Sequence, residues 1–504
     1  MPFTRNNAWN HGGTFDNPDL LWYAKGVGAL QSKTLDDQNS WWFFAAIHGE
    51  YITRSVPAQY SWDTIPPPPN VPVTPLPAQS VIDEFWNQCQ HQSWFFPPWH
   101  RGYLLAIEAQ LRSAIIDLDG PEDWALPYWN YFGPDDQYRI PPAFTETNLP
   151  DGNPNPLYVD ARYGPNNDGN VYVDTTVVSE KCQQNTIYTG SNAVTPAPGY
   201  GGSVTSFNHG QGLNGNLEAN PHNLVHTEVG GGIPSRAGLM SYPGTAALDP
   251  IFYLHHCNID RMWASWNAQG NSNPTDPNWL NGPVAVGARA FVMPMPNGTN
   301  WTFTPQDVDS LAQLDYIYED LITAPAPVHT LAQRLNKLGA LTTEALNTEN
   351  MGTGTNSELV GASEGSLELG GSGLKTQLRL DSDVRKNVSD SLFKASEVDI
   401  PDLIYLQIEN VTGSLDANIL TVSVNNQLAA HISLFGLLDA SDKDGQHGGT
   451  GLSFTIDITT IIDDLHLENK LDADSLDVSI YPNNIPEDES INVGRISIYR
   501  EQQG

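Results

Sequence analysis

Residues 249–263 read DPIFYLHHCNIDRMW, and the fold of the chain turns on how this stretch is read. Asp249-Pro250 signals a helix start, because proline suits a first helical position where its missing N–H costs nothing. From Ile251 the run is apolar without a breaker, as a buried helix would be. His255 and His256 sit in its middle. A buried imidazole needs a partner for each ring nitrogen, so two of them on a core helix point to a metal. Successive helical residues diverge by about 100°, so one of the pair faces a given site. Asp260 one turn on and Phe252 one turn back offer His256 an orienting carboxylate and a stacking ring. His256 is the expected ligand. The alternative, from this stretch alone, is two satisfied core histidines.

Working outward, EANPHNLVH (residues 218–226) sets His222 and His226 four apart, on one side of a helical turn. Residues 80–91 (SVIDEFWNQCQH) have a helical pattern. After a break expected at Pro97-Pro98 the run WHRGYLLAIEAQLRSAI makes an amphipathic helix with Trp99, Tyr103, Ile107 and Leu111 on one face. His91 at the end of one helix and His100 at the start of the next can meet at a point. The aromatic segment WWFFAAIHGEY adds His48. All six histidines are expected on helices or their ends. Three neutral imidazoles per metal, without carboxylate ligands, suit copper or zinc. Two such triads face to face leave room for a bridging small molecule. On chemistry alone, zinc with Glu218 as base stays open.

The remaining sequence frames this region. A proline-rich loop over residues 57–77 cannot be helix. Residues 130–220, rich in Gly, Pro, Asn and Asp, read as long loops of the kind that line sites. Residues 331–374 read as a flexible linker, separating an N-terminal domain (1–330) from a C-terminal one (375–504). In the latter the hydropathy period becomes two: LIYLQIENV, ILTVSVN, HISLFGLL, LSFTIDI and SLDVSIYP read as strands of an all-β sandwich or barrel. Two domains also suit 504 residues better than one core. The net charge of -35 argues against nucleic acid or anionic membrane as partners. Three cysteines give no disulfide framework. The start, MPFTRNNAWN, has no apolar segment of a secretory signal, and no run is expected to span a bilayer. Localisation stays open.

HQSWFFPPWHRGYLLAIEAQL (residues 91–111) and DPIFYLHHCNIDRMW resemble the two copper-binding signatures of the tyrosinase, catechol oxidase and molluscan haemocyanin superfamily. The resemblance extends to His48 in FFAAIHGE, to the His222/His226 pair and to the spacing between these parts. It implies a multidomain α and β protein: a mainly α-helical four-helix-bundle core with long loops, carrying a dinuclear type-3 copper centre, plus the C-terminal β-domain. His48, His91 and His100 would hold one copper, and His222, His226 and His256 the other, with O₂ as co-substrate. Cys89, two residues before His91, resembles the cysteine that in fungal tyrosinases and molluscan haemocyanins is joined to the histidine ring by a thioether. Glu218 and Asn223 match a pair that positions a water able to deprotonate an incoming phenol; the plainer reading is a helix-capping Glu218 and an exposed Asn223. The segment from Met240 to Pro243 would lie over the copper and tune substrate size. Arg5, Tyr316 and Tyr318 resemble residues that tie the core domain together.

The β-domain is similar to the domain that shields the copper site in latent plant and some microbial enzymes, with Phe435 as the expected side chain at the substrate position. The implied activity is oxidation of small phenols and catechols by O₂ to o-quinones, including o-hydroxylation of monophenols. The alternatives are a diphenol-only catechol oxidase and an O₂-carrying haemocyanin-like unit. Such carriers are large repeats, and this chain shows one unit, which favours an enzyme.

Overall fold

The computed structural model describes residues 2–502, apart from 191–197, 208–211, 234–235, 324–330, 340–356, 395–399, 444–447, 469, 471–474 and 487–488. Asn17 caps the first long helix, α1 (Pro18–Gln31), by accepting the Asp19 N–H. Ser40 does the same for α2 (Trp41–His48), accepting from Phe43. Every residue of α2 is buried, as a helix apolar on all sides must be. Next come α3 (Gln79–Phe85) and α4 (Phe96–Asp117). A π-helical turn (Glu218–Asn223) leads into α5 (Leu224–Gly230), followed by α6 (Pro243–Ala246) and α7 (Ile251–Ala268).

Two expectations shift here. The helix expected over residues 80–91 stops at Phe85, because the next backbone donors are captured by α2: Asn87 N–H bonds Ala46 O at 3.0 Å and Gln88 N–H bonds Ile47 O at 2.8 Å. Asn87 and Gln92 take left-handed backbone angles, φ 55° and 52°, which no continuing helix allows. His91 therefore sits in an irregular segment rather than at a helix end. Pro97 and Pro98 are not a break but the opening turn of α4, where N–H groups have no intrahelical partner to lose.

Helices α2, α4, α5 and α7 turn toward one another around the histidines. The Tyr103 hydroxyl on α4 donates to Phe44 O of α2 at 2.7 Å and meets the Tyr253 hydroxyl of α7 at 2.9 Å. A buried ionic cluster clamps the far side. Arg5 bonds Glu108 at 2.8 Å, Arg101 bonds Asp260 at 2.5 Å, and the Tyr316 and Tyr318 hydroxyls both donate to Asp260 Oδ2 at 2.5 Å. The strand Phe3–Arg5 pairs in parallel with Tyr316–Tyr318. Breaking one member of such a buried cluster costs about 3–5 kcal/mol.

The C-terminal unit has its own hydrophobic core. Its nine-stranded sheet runs in the order Gln427–Ser433, Ile419–Val424, Ser475–Pro482, Leu374–Leu380, Ser357–Ala362, Ser490–Glu501, Leu403–Thr412 and Leu452–Asp457, with Leu367–Gly370 also on Ser490–Glu501. All pairings within it are antiparallel. The first and last strands of that order come close, so the sheet curls into a nearly closed barrel. Its strands start at Ser357, inside the stretch read as linker, where short glycine-containing runs (SELVGA, LELG) carried little strand signal. Leu331–Lys337 is helical, and its Arg334 bonds Asp463 at 2.8 and 3.0 Å. Residues 340–356 of the expected linker lie outside the described residues. The unit is not purely β, for it carries helices Ser382–Lys394 and Thr459–Leu467. No helix among the described residues is long and apolar enough to cross a membrane.

Candidate metal centre

His48 closes α2, His91 lies in the irregular segment and His100 stands in α4. Their ring centroids are 5.6, 5.7 and 5.9 Å apart. His48 Nδ1 donates to Pro243 O at 3.0 Å, and His100 Nδ1 to Phe96 O at 2.8 Å. A carbonyl only accepts, so each Nδ1 carries the proton and each Nε2 presents a lone pair.

The second triad is tighter. His222 Nδ1 donates to Asn223 Oδ1 at 2.7 Å and His226 Nδ1 to Met240 O at 2.8 Å. Their Nε2 atoms stand 3.2 and 3.3 Å from His256 Nε2. Three nitrogens held about 2.0 Å from one ion at tetrahedral angles would be about 3.3 Å apart. Without an ion, two lone pairs face one nitrogen that has at most one proton to offer. His256 Nδ1 is buried with no hydrogen bond. Burial holds His100, His222, His226 and His256 well below the usual imidazole range, so they are neutral, the form that ligates. The residues fit a pair of metal ions, and the donors are imidazoles with Cys89 near the first triad and no carboxylate.

His255 is part of this surrounding as well, which helical divergence alone did not suggest. Its ring stacks on His222, 5.3 Å away at 25°, and its ligand atom lies within 4.8 Å of those of His222, His226 and His256. Burial pushes it down to about 3. Both of its ring nitrogens are buried without a hydrogen bond.

Phe252 lies between the triads, with ring centroids 4.1 Å from His256 and 4.8 Å from His48. Asp260 is a correction. It does not orient His256, because its carboxylate is taken by Arg101, Arg5 and the two tyrosines. Burial alone would raise this carboxyl, but Arg101 and Arg5 hold it below the usual range. A buried anion goes to guanidinium in preference to a neutral imidazole. Glu218 is buried and accepts the Gln92 N–H at 2.8 and 3.0 Å. Asn223 is buried too, its oxygen on His222. Pro243 lines the cavity, while Met240 is fully buried and offers its carbonyl to His226.

Phe435 comes from the C-terminal unit. Its ring stacks on His226, 4.2 Å away at 22°, and meets His91 and His222 edge-on at 5.6 and 5.8 Å. Around it the two units join: Thr227 and Ser433 hydroxyls meet at 2.6 Å, Arg54 donates to Asp439 at 2.8 Å, and Tyr60 donates to Ser414 O at 3.0 Å. Arg54 and Asp439 line the cavity but were not among the residues read from the sequence. They lie 385 positions apart, and neither carries a local signal. The space left over the centre is about 50 Å³, room for a few waters and far below a ligand pocket of about 300 Å³ or more.

Comparison with known proteins agrees with this geometry. Residues 38–269 match the family model described as the common central domain of tyrosinase, and residues 356–501 match a domain of unknown function, DUF7868. A solved structure of latent apple tyrosinase shares the fold, with a TM-score of 0.58 at 19% identity, covering 100% of this chain and 98% of that one. "Polyphenol oxidase latent form, chloroplastic" of Prunus armeniaca is 34% identical over 202 residues, 38% of this chain and 32% of that protein. "Tyrosinase HcTyr1" of Hahella sp. (strain CCB-MM4) is 31% identical over 520 residues, 99% of each chain. Likeness at that level, sustained from end to end, means that the chain belongs to the tyrosinase family.

Proposed function

We propose that the protein oxidises phenols to o-quinones with O₂ at a dinuclear copper centre, and that the C-terminal unit holds it latent. The observation that carries this is the convergence of His222, His226 and His256 Nε2 atoms at 3.2 and 3.3 Å, opposite the triad of His48, His91 and His100. His48, His91 and His100 would hold one copper and His222, His226 and His256 the other. Bound copper supplies the redox chemistry with O₂; the chain fixes the ligands, keeps water out and handles protons. The carbonyls of Pro243, Phe96 and Met240 lock three imidazoles in the ligating tautomer. Phe252 packs against one histidine of each triad, His48 and His256, and helps hold their rings.

Glu218 is the proton acceptor in this reading, acting with Asn223 through a water. A phenol has a pKa of about 10, and burial pushes the Glu218 carboxyl well up from its ordinary range, toward a useful base. Glu218→Gln keeps an acceptor for the Gln92 N–H but removes the base. Monophenol hydroxylation should fall by about 100-fold, with diphenol oxidation affected far less, in side-by-side assays. Equal losses would make Glu218 a structural support of the His91 segment.

Cys89 Sγ lies 3.7 and 3.6 Å from His91 Nδ1 and Nε2. That puts the sulfur beside the His91 ring, and also 3.4 Å from His100 Nε2, in keeping with the family resemblance of Cys89. We infer a thioether there: S–C replaces S–H and C–H, and the two hydrogens leave with two electrons to O₂. Peptide mass spectrometry of the copper-loaded protein should find this pair lighter by about two hydrogens. A freely alkylatable Cys89 would rule the bond out.

The closed cavity also suits a carrier, since about 50 Å³ admits O₂ and not a phenol. The two readings part when the cover is loosened.

A further inference from the structure

The C-terminal unit brings two groups to the cavity, and they come as a pair. The Phe435 ring stacks on His226, and four residues on the Asp439 carboxylate accepts from Arg54 Nη2 at 2.8 Å. Phe435, Asp439 and Arg54 line the same cavity as His48, His91 and Glu218. Asp416 fixes the segment between the two groups, accepting the Gly436 and Leu438 N–H groups at 2.9 and 2.8 Å. A ring against the histidines and a carboxylate four residues on, lining the same cavity, correspond to the two ends of an aromatic acid.

We propose that Arg54 binds the carboxylate of the substrate in the open site, so that the preferred substrates are phenols and catechols bearing an acid on a short side chain. Phe435 and Asp439 stand in for the ring and the acid while the site is closed. This rests on the phenol-oxidase reading above. Arg54 has Asp439 as its hydrogen-bonded partner among the described residues. Nearby Glu50 does not compete for it, since its oxygens accept from the Ile52 and Thr53 N–H groups, the Thr53 hydroxyl and the Asn87 amide. The Arg54 side chain is 24% exposed, reachable by solvent yet partly desolvated. Its planar fork suits a carboxylate better than any other ligand. When Asp439 moves away, the guanidinium loses its hydrogen-bonded carboxylate, and an incoming acid restores the pair. The chain as a whole, at -35, repels anions at long range. Arg54 supplies a cation in the cavity where the substrate is selected.

The test uses the full-length, copper-loaded F435A/D439A variant, in which both stand-ins are gone. Dihydrocaffeate and its amide differ only at the acid. Their kcat/KM ratio should favour the acid by about tenfold or more, the difference lying in KM. Adding R54Q should bring the ratio to about one, while R54K should keep part of it. Calorimetry of phenylpropionate binding to the copper-free protein, which needs no turnover, should rank the variants alike. A ratio and an affinity unchanged by R54Q would make Arg54 a latch for the cover and overturn the proposal. Failure of the copper-loaded variant to oxidise either catechol would instead strike the phenol-oxidase reading, and the calorimetry would still decide Arg54.

Discussion

Full-length protein carrying Phe435→Ala should oxidise an o-diphenol about 10- to 100-fold faster than the wild type, with copper content unchanged. The cover competes with substrate for one space, so the rate follows the fraction of molecules in which it is open. Burying a phenylalanine ring is worth about 1.5–3 kcal/mol, and every 1.4 kcal/mol is about tenfold in that fraction. The ring is 4% exposed and stacks on His226 of the other unit; truncating it weakens the closed state and leaves all six proposed copper ligands unchanged. Rates per copper, measured alongside metal analysis, check this. An unchanged rate would mean that the unit does not cover the centre in solution. Faster oxidation would show that the centre turns over a diphenol once the cover is loosened.

Replacing His256 by Ala should remove one of the two coppers and lower diphenol oxidation by roughly a thousandfold or more, a barrier increase of about 4 kcal/mol. His255→Ala should keep both coppers. The neighbours share burial, and both lie among the second group of donors, so the contrast is a demanding one. The distinction rests on direction: His256 Nε2 is the atom on which His222 and His226 Nε2 converge, whereas His255 lies flat against His222. Metal analysis with the losses reversed would overturn the ligand set. Asp260 has no part in this contrast. Its substitution should act on stability, through Arg5 and Arg101.

The parts of the fold legible in the sequence were those where one physical signal dominates. WWFFAAIH is apolar on every side, and DPIFYLHHCNIDRMW opens on a helix start, so α2 and α7 could be read directly. The path of residues 86–95 could not, because it is set by two carbonyls of α2, a tertiary contact that overrides a good local helical pattern. Asp260 was misjudged for a related reason. Position i+4 puts it on the His256 face, but two guanidiniums and two phenols from remote segments outbid the imidazole for its carboxylate. Strands at Ser357–Ala362 and Leu367–Gly370 were hidden by glycines and lean on neighbours for their pairing. Arg54 and Asp439 show the limit most plainly, since complementarity across 385 positions leaves no trace in either neighbourhood.

The clamp joining Arg5 to Tyr318, 313 positions apart, has a consequence in the time domain. A growing chain cannot complete it until residue 318 has left the ribosome, so the helical unit finishes late, as folds with long-range closures do. Phe435 emerges about 120 residues later, roughly 6–25 s at bacterial or eukaryotic rates of synthesis. During that interval the histidines can be in place while nothing yet covers them. On this order of synthesis, copper added while the chain is being made should load the centre faster than copper added to the finished protein.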